Sequence, residues 1–202
     1  IADRNPHPAG WTIRLTDKNS VGISGSYADN DIAADTRAYV EHATLNLTGD
    51  LGVSARAGGS VNSIAASGSA AGRAGIAGQV TNDDVENQTL AYIDAGAAVT
   101  TAGNVAVRAF DDSAIFSISG AVAYGGKAGI GAAVAMNDIQ NQVHAWIGAA
   151  SVAAGGALGV TADAVGDVFN VTAAIGASLE GMAAAASVSL SEVANTTTAN
   201  VK

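Results

Sequence analysis

The sequence predicts an all-β protein, a repetitive β-solenoid built from about three and a half units of 53–54 residues. Three observations carry that prediction. A short marker recurs at near-constant spacing, the larger apolar residues alternate with a period of two, and the apolar content is made of small residues punctuated by glycine.

The marker is an acidic residue and a branched aliphatic, followed a few residues on by Ala-(aromatic)-(aliphatic). It reads Asp31-Ile32 with Ala38-Tyr39-Val40, Asp84-Val85 with Ala91-Tyr92-Ile93, and Asp138-Ile139 with Ala145-Trp146-Ile147. A last copy, Glu192-Val193 with Ala199-Asn200-Val201, follows, so the offsets are 53, 54 and 54. Repeats of this length point to a stacked, quasi-one-dimensional architecture, in which each unit touches mainly its neighbours.

Residues 1–10 differ from the rest and hold both prolines of the chain, Pro6 and Pro8. They read as an extended N-terminal arm, a cap or a linker, a frayed end being preferred to an arm ordered on a neighbouring molecule. Residues 11–202 read as one continuous repeat array. Within it a strand–turn–strand recurs: Trp11–Thr16 and Val21–Tyr27 about Asp17-Lys18-Asn19, then Val61–Ala71 and Ile76–Thr81 about Gly72-Arg73. The third runs Ala114–Tyr124, a tight Gly125-Gly126-Lys127 turn, and Ile130–Met136. The fourth is Phe169–Leu179, Glu180-Gly181 and Met182–Leu190.

In Ala114–Tyr124 the residues Phe116, Ile118, Val122 and Tyr124 share one parity, whereas Ser117, Ser119, Ala121 and Ala123 share the other. That two-residue period overrides the helical preference of alanine. Two shorter strands are expected after each pair. One carries the Ala-(aromatic)-(aliphatic) triplet; the other is Asp50–Ala55, Asn104–Ala109 or Ala157–Ala162, each preceded by a corner glycine (Gly49, Gly103, Gly156). Each unit is expected to form one large rung or two coils.

Composition narrows the function. Hydrophobic residues make up 49% but aromatics only 4%, so the core must be assembled from many small contacts rather than a few large anchors. A net charge of −9 argues against nucleic acid and anionic membrane as partners. The sparsely charged stretch from Thr172 to Leu190 is Ala, Ser and Gly with alternating larger residues, so no membrane span is expected. There is no cysteine. Ile1 as first residue is read as a mature form or an excised segment, and the end within the fourth repeat as part of a longer array or a subunit completed by its neighbour.

Identical positions of stacked units form columns. Asn87, Asn141 and Asn195 are 54 residues apart and are read as a structural amide ladder, broken by Ala34 in the first unit. Asp31, Asp84, Asp138 and Glu192 form an acidic column. Its oxygens would suit Ca²⁺, although neither an EF-hand loop nor a calcium β-roll repeat is present, and a solvated edge that deters strand pairing is the preferred reading. Tyr39, Tyr92 and Trp146 form an aromatic column that would stack on sugars or a partner surface if exposed; packing in the core or at a corner is preferred.

Catalytic patterns are poor. His7, His42 and His144 lack metal-ligand spacing, and Gly125-Gly126-Lys127-Ala128 lacks the first glycine and the Ser/Thr of a phosphate loop. Asp83-Asp84 and Asp111-Asp112 are adjacent carboxylates, which strand alternation sends to opposite faces. No catalytic residue is assigned. A polysaccharide hydrolase or lyase is the weakest class, because nine scattered Lys and Arg face eighteen acids.

Residues 128–162, AGIGAAVAMNDIQNQVHAWIGAASVAAGGALGVTA, and residues 74–109, on the same pattern, resemble the repeats of large bacterial surface proteins. These are the filamentous-haemagglutinin-like and leukotoxin-like filamentous adhesins and related autotransporter passenger regions. The resemblance covers roughly residues 20–202 and implies an extracellular or cell-surface β-solenoid shaft used in adhesion or biofilm. The leading expectation is therefore a structural or adhesive protein that self-associates end to end through open sheet edges, or forms an adhesin shaft. The alternative is a module binding polysaccharide or a host surface, assisted by calcium.

Overall fold

The computed structural model describes residues 9–13 and 18–202. Residues 1–8 of the N-terminal arm, with His7, and residues 14–17 of the first strand–turn lie outside the described residues. After a short strand β1 (Ala9–Ile13), the chain repeats one circuit. The first circuit is β2 (Val21–Glu41), β3 (Thr44–Leu47) and β4 (Leu51–Ala71). The second is β5 (Ala74–Asp94), β6 (Ala98–Thr101) and β7 (Val105–Gly125). In the third, β8 (Ala128–Ile139) and β9 (Gln142–Ile147) together replace the first long strand, followed by β10 (Ser151–Ala154) and β11 (Leu158–Ser178). The last is β12 (Met182–Val193) and β13 (Thr196–Val201).

The fold is a β-solenoid, and each unit is one large rung, not two coils. The front sheet runs β1-β2-β5-β8-β12, with β9 and β13 continuing it. The rim sheet is β3-β6-β10 and the back sheet β4-β7-β11. Apart from β1, which lies antiparallel on β2 from Tyr27 to Ile23, all pairings are parallel and in register with the repeat. Asp31 thus pairs with Asp84, Asp84 with Asp138, and Asp138 with Glu192.

Two expectations change. The recurrent Gly-rich turns do not close hairpins: Gly126-Lys127 carries the chain from β7 in the back sheet to β8 in the front sheet, whose partners are other strands. They are arches, and the two strands they join meet through side chains rather than backbone hydrogen bonds. The two shorter strands are separate elements only in part. The triplet ends a 21-residue front strand in the first two circuits and stands on its own six-residue strand, β9 or β13, in the last two, whereas the glycine-preceded segment begins a 21-residue back strand. The separate short strand between them is the four-residue rim, too brief to display a period.

Between the sheets the core falls into three apolar zones along the rung. At the rim end Ile93, Val99, Val105, Val107, Val143 and Ile147 are buried, and in the middle Val61, Val85, Ile115 and Ile139. Each such side chain contributes about 1.5–3 kcal/mol of burial. At the arch end the filling is Ala77, Ala121, Ala123 and Ala133. The sheets approach so closely there that a Cβ on Gly75 would lie 2.1 Å from the Tyr124 carbonyl oxygen, and one on Gly129 2.1 Å from that of Ala177. The inward positions there are mostly Gly, Ala and Ser, with Gln79, in register with Ala133, and Thr81 buried where the gap begins to widen. The larger residues of the opposite parity are therefore turned outward: Phe116, Val122 and Tyr124 of the central strand β7 are 38%, 51% and 39% exposed.

Candidate functional site

Strand alternation places each column on a definite face. In β5, Ala91 and Ile93 point inward and are buried, so Tyr92 between them points outward. The aromatic column accordingly lies on the outer face of the front sheet rather than in the core, at the strand ends beside the first corner, and Tyr39 is 57% exposed. The rings stack on one another, Tyr39–Tyr92 at 5.3 Å and Tyr92–Trp146 at 4.2 Å between centroids. Each internal ring face is covered by the next ring, so the column turns edges to solvent and leaves an open face only on its end rings.

Trp146 is anchored by a bond that sequence patterning does not show. Its Nε1–H donates to Asp94 Oδ2 at 2.8 Å, while Asp94 Oδ1 accepts from the backbone N–H of Ala95 (2.8 Å) and Ala149 (2.7 Å). The Trp146 hydrogen bond, then the two backbone donors, hold the Asp94 carboxyl below the usual carboxylate range. Asp94 thereby closes the corner where Ala95 and Gly96 adopt φ of 49° and 74°. A second corner uses the same device. Asp50 Oδ1 accepts the Asn104 N–H at 2.7 Å, and Asn104 Oδ1 accepts the Ala157 N–H at 2.8 Å. The only trace of it in the sequence is a 54-residue spacing between Asp50 and Asn104.

The acidic column also lies on the outer face of the front sheet, in mid-strand in β2 and β5 and one residue before the strand end in β8 and β12. Partial burial, then Glu86, Asp138 and Asp31 nearby, push the Asp84 carboxyl above its ordinary value. Among the described residues no three His, Asp or Glu side chains converge as a metal site requires. The column is thus a row of mutually repelling charges, not a preformed calcium centre.

The asparagine column is internal. Asn87 Oδ1 accepts the Ala34 N–H at 3.1 Å, Asn141 Oδ1 the Asn87 N–H at 3.0 Å, and Asn195 Oδ1 the Asn141 N–H at 3.1 Å. Each amide oxygen stands in for a ladder carbonyl, and the third and fourth front strands are interrupted at this level. The amide nitrogens of Asn87 and Asn141 turn inward and donate to Asp111 at 3.1 and 2.8 Å, joined by Ser113 Oγ at 2.6 Å. Asp111 is fully buried. A carboxylate enclosed by neutral donors holds strands together and is sealed from any substrate.

The paired carboxylates diverge as alternation requires. Asp111 and Asp83 are fully buried, Asp112 is exposed and Asp84 is half-buried on the outer face. Burial pushes the Asp83 carboxyl upward, against a 2.6 Å hydrogen bond from Asn30 Nδ2. His42 and His144 lie in different places, a corner and the outer face of β9, and form no set with each other. Among the described residues no helix is long and apolar enough to cross a membrane. Scans of protein-family models, of curated proteins and of solved structures find nothing that matches this chain.

Proposed function

We propose that this chain is a structural segment of an extracellular, cell-surface protein, a β-solenoid that lengthens by adding rungs and serves as a filament or adhesin shaft. The observation that carries the reading is the in-register parallel stacking of every repeat on the edge of the one before. Such an edge offers a row of backbone donors and acceptors to the next rung, whether the same polypeptide or another copy supplies it. The inward-facing polar groups serve this stacking: Asn87, Asn141 and Asn195 reach along it, and Asn87 and Asn141 also donate to the buried Asp111. Nothing in that arrangement presents a nucleophile or acid to a substrate.

Recognition of polysaccharide by Tyr39, Tyr92 and Trp146 draws less support, since the internal ring faces that would receive sugars cover one another. Calcium assistance draws less as well, since no three acids converge.

The test is negative-stain electron microscopy of the purified chain at rising concentration. A 21-residue strand sets a rung about 70 Å across, so filaments of that width are expected. In β12, Met182 N–H donates to Lys127, and the Ala194 N–H just after the strand donates to Ile139. The alternate N–H of Ser187 therefore faces the free edge, and Ser187→Pro removes an edge donor without breaking the ladder. Filaments that disappear in Ser187→Pro are the expected result. Discrete particles at every concentration would end the self-assembly reading. Intact cells whose copy resists added protease would end the surface one.

A further inference from the structure

The arch half of the back sheet has an outer face with no assigned role. Its columns are Asn62/Phe116/Phe169, Ile64/Ile118/Val171, Ala66/Gly120/Ala173, Gly68/Val122/Ile175 and Ala70/Tyr124/Ala177, without one charged residue. Exposure is not confined to the end strands: Phe116, Val122 and Tyr124 are flanked on both sides by β4 and β11. Phe116 and Phe169 stack at 5.1 Å between centroids. The charge lies elsewhere: Asp112, Asp163 and Asp167 share the other half of this sheet with Arg56 and Arg108, Arg56 approaching Asp112 at 4.0 Å, and Lys127 lies at the arch tip.

We infer that this face is a lateral interface with a second copy of the same chain, packed sheet on sheet about a two-fold axis parallel to the stack. Three features select that occupant. At their exposed fractions, Ile64, Phe116, Val122, Tyr124, Phe169, Val171 and Ile175 present roughly 700 Å² of apolar surface, close to the ~800 Å² each partner contributes to a standard interface. The columns repeat at the strand spacing of about 4.8 Å, and an identical stack matches that period at every rung. The third is charge. A two-fold along the stack reverses strand direction, so the charged halves of the two copies point apart and apolar half meets apolar half. It also carries Lys127 of each copy over the Asp112 region of the other, since the two positions lie at similar distances on either side of Gly120. The one unfavourable approach is Glu180 to Asp167, at the last back strand.

A lipid surface fits less well. The outer edge of β4 has no strand partner among the described residues, and unpaired backbone groups are costly in hydrocarbon. The net charge of −9 adds repulsion from anionic lipid.

The experiment uses Ser187→Pro as background, so that edge-to-edge growth and lateral pairing are separated. Light scattering coupled to size exclusion is expected to give twice the 19.7 kDa chain mass at high micromolar concentration. Adding Val122→Asp, at an exposed outward position, is expected to return the monomer with unchanged circular dichroism and melting. Lys127→Glu is expected to weaken the dimer and Asp112→Lys, combined with it, to restore it, which guards against a Val122 variant that fails to fold. A monomer in the Ser187→Pro background overturns the inference, as does a dimer indifferent to Val122→Asp and to Lys127→Glu. A monomer that floats with phosphatidylcholine vesicles, and loses flotation with Val122→Asp, also overturns it and gives the face to lipid.

Discussion

Asn141 shows how much one internal side chain carries in a stack of small residues. Its oxygen receives the Asn87 N–H and its nitrogen reaches the buried Asp111. Asn141→Ala leaves an N–H unpaired and a buried carboxylate short of a donor, and is expected to cost about 2–4 kcal/mol in urea unfolding. Asp83 works in the opposite sense. Burial raises its carboxyl, so the native state binds the proton more tightly than the unfolded chain. The protein is then most favoured, as far as Asp83 decides, below about pH 4, and loses stability as pH rises through the raised native value. Its column neighbours are Asn30 and Asn137. Asp83→Asn is therefore expected to stabilise by about 1 kcal/mol at pH 7, with the gain vanishing in acid melts. Asp94 has the reverse sign. Its carboxyl is lowered by Trp146 and two backbone donors, so its contribution is present above about pH 4 and disappears as pH falls through the lowered native value. The difference in melting temperature between wild type and Asp94→Ala should be largest near neutrality and close in acid.

At the scale of elements, the narrowing between front and back sheets is the feature that shapes the rest. Gly75→Ala drives a Cβ into the Tyr124 carbonyl, a backbone atom that cannot step aside, and is expected to cost about 1–3 kcal/mol or more. At Gly22 the nearest atom is the Ser69 hydroxyl, so alanine there should cost less, and at Gly78, with open space around it, almost nothing. A ranking Gly75 > Gly22 > Gly78 in thermal melts checks the account; equal effects would refute it. The long strands were legible because Ala114–Tyr124 alternates so plainly, and the stacking because marker spacing and strand register are the same number. The turns were legible as turns, but not as arches between two sheets, because a Gly-Gly-Lys turn looks alike whether its strands hydrogen-bond or face one another. The rim strands, of four residues, have too few positions to show alternation.

Over the whole molecule, the outer faces divide by charge. Acids gather on the mid-strand and rim half of the rung, in columns such as Asp31–Asp84–Asp138–Glu192, while the arch half is apolar on both sheets. Salt shortens the reach of the repulsion within the acidic columns, and moving from low salt to about 1 M NaCl is expected to raise the melting temperature by a few degrees. A flat response would mean that the carboxylates already spread apart in solution.

By itself the sequence determined the all-β class, the repeat, the register and the membership of each column, because all of these follow from spacing and from the two-residue period. It did not determine which parity is the inside. Tyr39, Tyr92 and Trp146 look like core by size, and Phe116, Val122 and Tyr124 look equally so. Only the tertiary structure decided that they face outward, because the distance between the two sheets sets what fits between them. At the arch that distance admits mostly Gly, Ala and Ser, and the larger apolar side chains are left to the surface, where a second copy can cover them.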